Sequence, residues 1–284
     1  MLRFQKKITP DTIPWAASIR TSLTSIYEIL HSLCYAVKMN PMKLITLNMW
    51  GKCGPYQKRW DYFLEQLKEL SPDILCLQEV GDDELTEILV KTFRLNHFAA
   101  AYQAGLLTIS RFPISEKQTL RYQSHSPQEP NYERSAVLTK INLGQYNLMV
   151  ANTHLAWRED DRPTRDRQME ELLYVIKNTK LPSLICGDLN DIPESSPLEK
   201  CFEASYENLI QVREPDVITW DNQNPFIQTH CVKFPDRQID YILVHEAASK
   251  ILKVKTCRRT FDQPNEELIF PSDHYGLVAE FEVL

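Results

Sequence analysis

The sequence predicts an α/β fold, one compact domain in which two β-sheets pack on each other between helices. Three observations carry this expectation. Short apolar runs of strand length alternate with longer stretches of helical spacing. The strand-like runs fall into two β-rich halves separated by helices, as two packed sheets require. No internal repeat, low-complexity tract or Gly/Ser linker divides the chain. At 284 residues, 43% hydrophobic and 10% aromatic, it is long enough to bury a substantial core.

Residues 1–41 stand apart as an N-terminal extension. Ile19, Leu23, Ile26, Leu30, Leu33 and Val37 recur at steps of three and four, and Arg20, Glu28 and His31 fill the other faces. This is the pattern of an amphipathic helix. The extension carries a net +3 and residues 42–284 a net −9. Arg20 and Glu28 break the apolar region that a secretory signal needs. Met39 and Met42 lie immediately before the first strand, so a dispensable or loosely attached arm is expected. Docking on the domain or a partner, and peripheral contact with a membrane surface, are the other readings of such a helix.

The expected domain spans residues 42–284. "KLITLNMW" is a strand, "YQKRWDYFLEQLKEL" has helical spacing through Trp60, Phe63, Leu64 and Leu67, and "SPD" stops that helix before the strand "ILCLQEV". A second helical stretch, "DDELTEILVKTF", precedes the β-like runs "AGLLTIS", "RSAVLTKINL" and "YNLMVANTHL", with "RFPI" and "NLGQYN" as turns. Helix and strand then alternate through "TRDRQMEELLYVIKN", "PSLICGDLN" and "ESSPLEKCFEA". "ITW", "RQIDYILVH", "ILKVKTCRRT" and "YGLVAEFEV" complete the second half.

Composition narrows the function. A formal charge of −6 excludes a general electrostatic grip on nucleic acid and leaves only local basic patches. Seven widely spaced cysteines without a CxxC pair indicate neither a disulfide framework nor a zinc knuckle, and point to a reducing, cytoplasmic setting. Cys76 and Cys186, inside apolar runs, are expected in the core. No apolar run reaches the length of a membrane span.

The informative pattern lies at the strand ends, where "LITLN" finishes at Asn48, "ILCLQE" at Glu79 and "LMVANTH" at His154. "LICGDLN" supplies Asp188 and Asn190, "RQID" Asp240, and "PSDH" Asp273 and His274. Taken singly, Asn48 is a turn cap, His154 a core histidine and "GDLND" an Asx turn before a helix. Glu79 is harder to dismiss, because an unpaired carboxylate at a buried strand end is costly. Together they mark one acidic site, since ligands of α/β proteins collect beyond strand ends.

Carboxylates and an amide oxygen, without a Cys/His cluster, suit a hard divalent cation, Mg²⁺ or Mn²⁺. Two histidines beside several aspartates can orient a water, neutralise charge on a phosphate and protonate a leaving oxygen. With seven glycines and neither GxSxG nor a P-loop, the chain offers no covalent route of those kinds. Direct attack by water is the economical mechanism.

"TLNMWG", "PDILCLQEV", "AGLLTISRFPI", "NTHL", "GDLND", "RQIDYILV" and "SDHYGL" resemble, in order, the motifs of the endonuclease/exonuclease/phosphatase superfamily, which includes deoxyribonuclease-like nucleases and sphingomyelinases. The resemblance runs from about residue 42 to 284. It implies a four-layer α/β sandwich with two mixed sheets face to face, and a Mg²⁺-dependent phosphoesterase acting on a diester or a monoester. It implies Glu79 as principal metal ligand, assisted by Asn48 and Asp273. Asp188 and Asn190 would position the attacking water and the phosphate, His154 and His274 would contact the phosphate, and Asp240 would orient His274. Trp50 departs from the aspartate that abasic-site enzymes carry there, and is similar to the sphingomyelinase-like branch. A nuclease, a sphingomyelinase-like phosphodiesterase and an inactive binding scaffold therefore stand as alternatives.

Specificity residues are sought among Arg134, Arg158 and Arg165, for a second phosphate, and in "TWDNQNPF", where Trp220 with Asn222 and Asn224 could stack on a sugar or base. Gln168 is expected to pack or cap.

Overall fold

The computed structural model describes residues 41–284; the extension read at 1–41 lies, but for its last residue, outside the described residues. Two six-stranded mixed sheets form the centre. In chain order the first half contributes β1 (Met42–Asn48), α1 (Tyr56–Leu70), β2 (Ile74–Gln78), α2 (Glu84–Phe93), β3 (His97–Ala101) and β4 (Leu106–Ser110). There follow β5 (Ile114–Arg121), β6 (Ser135–Asn142), β7 (Asn147–His154), α3 (Arg162–Thr179), β8 (Ser183–Asp188), α4 (Ser196–Glu203), β9 (Tyr206–Asn208) and α5 (Leu209–Arg213). The last strands are β10 (Asp240–His245), β11 (Leu252–Thr260) and β12 (Gly276–Val283). The first sheet has the order β11-β12-β1-β2-β4-β3 and the second β5-β6-β7-β8-β10-β9.

The central strands are apolar on both faces because both faces are covered, which is why they read as continuous runs. On β1, Leu44 faces the layer between the sheets with Ile74, Val150, Leu184 and Ile242. Its neighbours Ile45 and Leu47 face the other way, against Trp60, Phe63 and Leu67 of α1 and Leu85 and Leu89 of α2. The second sheet repeats the scheme: Ala151, Ile185 and Leu243 pack under Met169, Leu172 and Ile176 of α3 and Leu198 of α4. Four layers result, helix, sheet, sheet, helix, as the fold expectation has it. Cys76 and Cys186 are buried between the sheets.

The sequence reading missed three strands, β3, β5 and the three-residue β9, and overstated one. "RFPI" does not turn back at once but leads into β5, a largely exposed strand held by pairing with β6. β3, "HFAAA", pairs with β4 although it has little apolar alternation. "ITW" makes only a single bridge, Trp220 to Arg237.

A polar link ties the sheets together just below the strand ends. Gln78 donates to Asn152 Oδ1 at 2.7 Å and to Thr46 Oγ1 at 3.1 Å, while Asn152 donates to the carbonyls of Leu77 and Leu107. All of these groups are buried, where hydrogen bonds are stronger and an unmade one costs more. The link fixes the level at which β2 and β7 end, and thereby the places of Glu79 and His154.

Candidate active site

Strand register gathers the polar residues. On the second sheet Ser135 pairs with His154, His154 with Asp188, and Asp188 with Asp240. Three adjacent strand ends thus carry His154, Asp188 and Asp240 in a row, one strand spacing of ~4.8 Å apart, with Arg134 just before β6. On the first sheet Asn48 pairs with Gln78, which places Glu79 one residue beyond. Glu79 adopts φ of 55° and Asn190 φ of 54°. Each is in the left-handed region that bends the chain as it leaves the sheet. Gly105 makes room for the first bend, because a Cβ there would stand 3.0 Å from Glu79 Cα.

Asn48 bridges the sheets. Its amino group donates to Glu79 Oε1 at 3.0 Å and to Asp188 Oδ2 at 3.1 Å, and its oxygen accepts from the Trp50 N–H at 3.0 Å. Expected to offer oxygen to a cation, Asn48 here turns nitrogen toward the carboxylates, because the backbone of the following turn occupies the oxygen. The Asn190 N–H donates to Asp188 Oδ1 at 2.9 Å, and its side-chain amide to Leu155 O at 3.1 Å. Both Asp188 oxygens are therefore fixed. Burial pushes the Asp188 carboxyl up to about 7, against the downward pull of His274.

The two histidines carry opposite states. His154 lies 3.4 Å from Asp188 Oδ2 through Nε2, and its buried Nδ1 has no partner. Burial, with Arg134 and His274 adding, holds it well below the usual imidazole range, so it is neutral. His274 Nδ1 stands 2.9 Å from Asp240 Oδ2 and its Nε2 3.8 Å from Asp188 Oδ2. Burial alone would discharge it, but Asp240, Asp188 and Asp273 outweigh burial and keep it well above the ordinary value. Asp188, Asp240 and His274 offer ligand atoms within 4.8 Å of one another. The His274–Asp240 hydrogen bond fixes the imidazole with its Nε2 toward Asp188.

Glu79 and Asp273 form the other acidic corner. Burial first, and then the charge of Asp273, raise the Glu79 carboxyl. Asp273 is held by His230 Nε2 at 2.9 Å and by Ser272 Oγ at 3.1 Å. No lysine or arginine of the described residues pairs with either carboxylate within 4.0 Å. Two carboxylates at one cavity wall without a lysine or arginine partner are a donor set that a hard divalent ion would stabilise.

Glu79, His154, Asp188, Asn190, His230, Asp273 and His274 line one cavity of about 380 Å³, together with Trp50, Tyr132, Arg134, Trp157, Trp220, Phe234 and Arg237, whereas Asn48 and Asp240 are not among the lining residues. Arg134 is 4% exposed. Its Nη2 reaches Glu129 at 3.3 Å and its guanidinium lies 4.3 Å from the Tyr132 ring centre, whereas Nε and Nη1 are buried without partners. Trp220 meets His274 edge-on, centroids 5.1 Å apart.

Several expected specificity residues lie elsewhere. Asn222 donates to Phe234 O and Asp236 Oδ1, which knits its own loop. Arg158 stacks on Trp157 at 4.7 Å and, like Asn222, is not among the lining residues. Arg165 is bound by Asp191 and two carbonyls, and Asn224 donates to Ser272 O and Asp273 O. Gln168 accepts from Ala156 N–H and donates to Ser124 O.

Two residues went unread. His230 sits in an irregular loop with no periodicity to mark it. Arg59 looks like one more charge on an amphipathic helix, yet it is fully buried. It donates to the carbonyls of Met49, Trp50, Gly51, Cys53 and Pro271, which ties the turn after Asn48 to the segment before Asp273.

The profile of the Endonuclease/Exonuclease/phosphatase family matches residues 45–274. Protein angel of Drosophila melanogaster is 25% identical over 261 residues, covering 81% of this chain and 73% of that protein. The CCR4-Not complex 3'-5'-exoribonuclease subunit Ccr4 of Mycosarcoma maydis is 20% identical over 253 residues, 66% of this chain and 37% of that protein. In structure the chain is similar to D. rerio TDP2 complexed with a single-strand DNA product, at a TM-score of 0.72 and 16% identity, covering 85% of this chain and 98% of that one. The chain belongs to the endonuclease/exonuclease/phosphatase family, whose members are phosphoester hydrolases dependent on a divalent metal. Among the described residues no helix is long and apolar enough to cross a membrane.

Proposed function

We propose that this family member hydrolyses a phosphodiester of a single-stranded nucleic acid with Mg²⁺, by direct attack of water. The single observation that carries it is the row His154, Asp188 and His274, with Asp240 behind His274, beside the carboxylates Glu79 and Asp273 at one cavity. Aromatic walls beside that row favour a planar base over a lipid or an inositol ring. The likeness to a TDP2 complexed with a single-strand DNA product and to a 3'-5'-exoribonuclease subunit supports the same reading.

Glu79 and Asp273 would hold the metal, which when bound supplies positive charge to the phosphate oxygens. Asp188, raised toward neutrality by burial, takes the proton of the attacking water, its oxygens aimed by Asn48 and Asn190. A base titrating near the working pH combines availability with driving force. His274, charged and steered by Asp240, and the free Nε and Nη1 of Arg134 face the charge that develops on the phosphate. Neutral His154 fixes the phosphate through hydrogen bonding without adding charge beside Asp188.

A substrate panel tests this. Purified chain with Mg²⁺ should shorten a single-stranded oligonucleotide, stop on addition of EDTA, and leave a phosphocholine ester and inositol phosphates intact. Release of phosphocholine or of inorganic phosphate, with the oligonucleotide unchanged, would overturn the reading.

A further inference from the structure

The cavity wall holds one cation that hydrolysis itself does not require. Arg237 lines the cavity with Asp188 and His274. Its main chain is fixed by a pair of hydrogen bonds, Arg237 N–H to Trp220 O at 3.1 Å and Trp220 N–H to Arg237 O at 3.0 Å. Its guanidinium lies 4.0 Å from the centre of the Phe234 ring. Phe234 is in turn buttressed edge-on by Trp157 and Trp220, each at 6.4 Å. The side chain is thus held in place by stacking alone.

No group of the described residues accepts from it. Arg237 Nε is buried without a partner, and the side chain makes no ion pair within 4.0 Å. Of the nearby acids, Asp191 is bound by Arg162 and Arg165, and Asp188 belongs to the reacting centre. Arginine cannot discharge itself as lysine can. A desolvated donor left unpaired costs stability, and its retention in a cavity wall is explained by an anion that arrives from outside.

Register says which anion. Asp240 pairs with Asp188, and Arg237 lies three residues upstream of Asp240. At ~3.3 Å per extended residue its main chain stands up to about 10 Å past the end of the catalytic row. The phosphate at Asp188 is already met by His154, His274 and the free donors of Arg134 in the reading above, so a cation set back along the wall suits the next phosphate. We propose that Arg237 is the seat of a second phosphate, so that the cavity takes an ester carrying a further phosphate beside the scissile one. The inference rests on the phosphoesterase reading above. The second phosphate can be the neighbouring linkage of a strand or a monoester on a small nucleotide; Arg237 meets the same dianion or diester oxygens in either case.

The test compares paired substrates with the full chain and Mg²⁺: the dinucleotide ApA, its 5'-phosphorylated form pApA, and the trinucleotide ApApA. A charge-assisted contact corresponds to about tenfold or more, so kcat/KM for pApA or ApApA should exceed that for ApA by that factor. Arg237→Met should bring the ratio to about one, and Arg237→Lys should keep part of it. Preference for ApApA alone assigns the subsite to a strand linkage, and preference for pApA alone to a terminal phosphate. An unchanged ratio in Arg237→Met refutes the subsite. Calorimetry in EDTA with adenosine 3',5'-bisphosphate against AMP gives a readout independent of turnover. Wild type should bind the bisphosphate about tenfold more tightly and Arg237→Met equally. If no ester is cleaved the hydrolytic reading falls, and this binding arm alone still decides the subsite.

Discussion

Arg59→Met should loosen the proposed metal-binding corner while leaving every proposed ligand in place. Arg59 is among the largest fully buried side chains of the described residues, and its donors satisfy five carbonyls from two segments. Of these bonds, those to Met49 O at 2.8 Å and Pro271 O at 2.9 Å are fully buried; those to Trp50, Gly51 and Cys53 are partly buried and open to replacement by water. A buried acceptor left without a donor costs ~1–3 kcal/mol, so the two buried carbonyls set the loss at about 4 kcal/mol. For a domain of this size each kcal/mol lowers Tm by about 2–4 °C, which predicts a drop of roughly 8–16 °C. Arg59→Lys, with fewer donors and no planar fork, should fall between. Thermal melts give the stability, and Mg²⁺ titration calorimetry of the folded variant gives the second consequence, a weaker site, because Asn48 and Asp273 sit at the two ends Arg59 ties together. A melt within about 2 °C of wild type would show that the five carbonyls have other partners in solution and would refute the reasoning.

Glu79→Gln removes the carboxylate whose buried charge calls for a cation, so Mg²⁺ affinity measured by calorimetry should fall at least about tenfold with the fold retained; unchanged affinity would move the metal elsewhere. Gly187→Ala should yield no folded protein, since a Cβ there would stand 1.9 Å from Thr153 O at a φ of +136°, between the paired strands β7 and β8; a soluble variant with a native circular dichroism spectrum would refute this. Asp191→Asn should cost about 3–5 kcal/mol, because it removes the anionic partner of the buried Arg165, which keeps the carbonyls of Ala156 and Arg158 but no countercharge. Burial alone would raise the Asp191 carboxyl, but Arg162 and Arg165 outweigh it and hold it below its ordinary value. A depressed folded pKa gives stability that is fully present above the unfolded value near ~3.9 and lost as pH falls through the folded one. Urea titrations should therefore show a constant gap between wild type and Asp191→Asn from pH 5 upward, narrowing below about pH 4.

The strand-end pattern was legible because burial makes it improbable without compensation. Apolar runs such as "ILCLQE" announce that both faces are covered, and a carboxylate closing such a run needs a partner that the sequence does not show beside it. Asn48, Glu79, His154, Asp188, Asn190, Asp240, Asp273 and His274 all meet at one corner of the fold. What could not be read is direction. Asn48 turns its nitrogen inward only because Trp50 N–H takes its oxygen. Arg134 keeps two free donors in the cavity, whereas Arg165, equally buried, is consumed by Asp191. Edge strands were missed for a related reason: β5 is mostly exposed and takes its conformation from β6, so no period of its own marks it.

The chain segment from Trp220 to Asp240 shows why a site can be legible in its residues and illegible in its wiring. Asp273 and His274 are adjacent, yet their side chains are fixed from different places in this one segment, Asp273 by His230 and His274 by Asp240. Asp240 stands at a strand end and carried a sequence signal; His230 stands in a loop and carried none. Trp220 packs against both histidines, centroids 5.2 and 5.1 Å away, so the two Asp–His pairs share a wall. An acid expected to meet a cation and an imidazolium expected to meet a phosphate are thereby kept apart although they are neighbours in sequence. Separating them is the work of tertiary contacts between residues 34 and 43 positions apart, which no local pattern encodes.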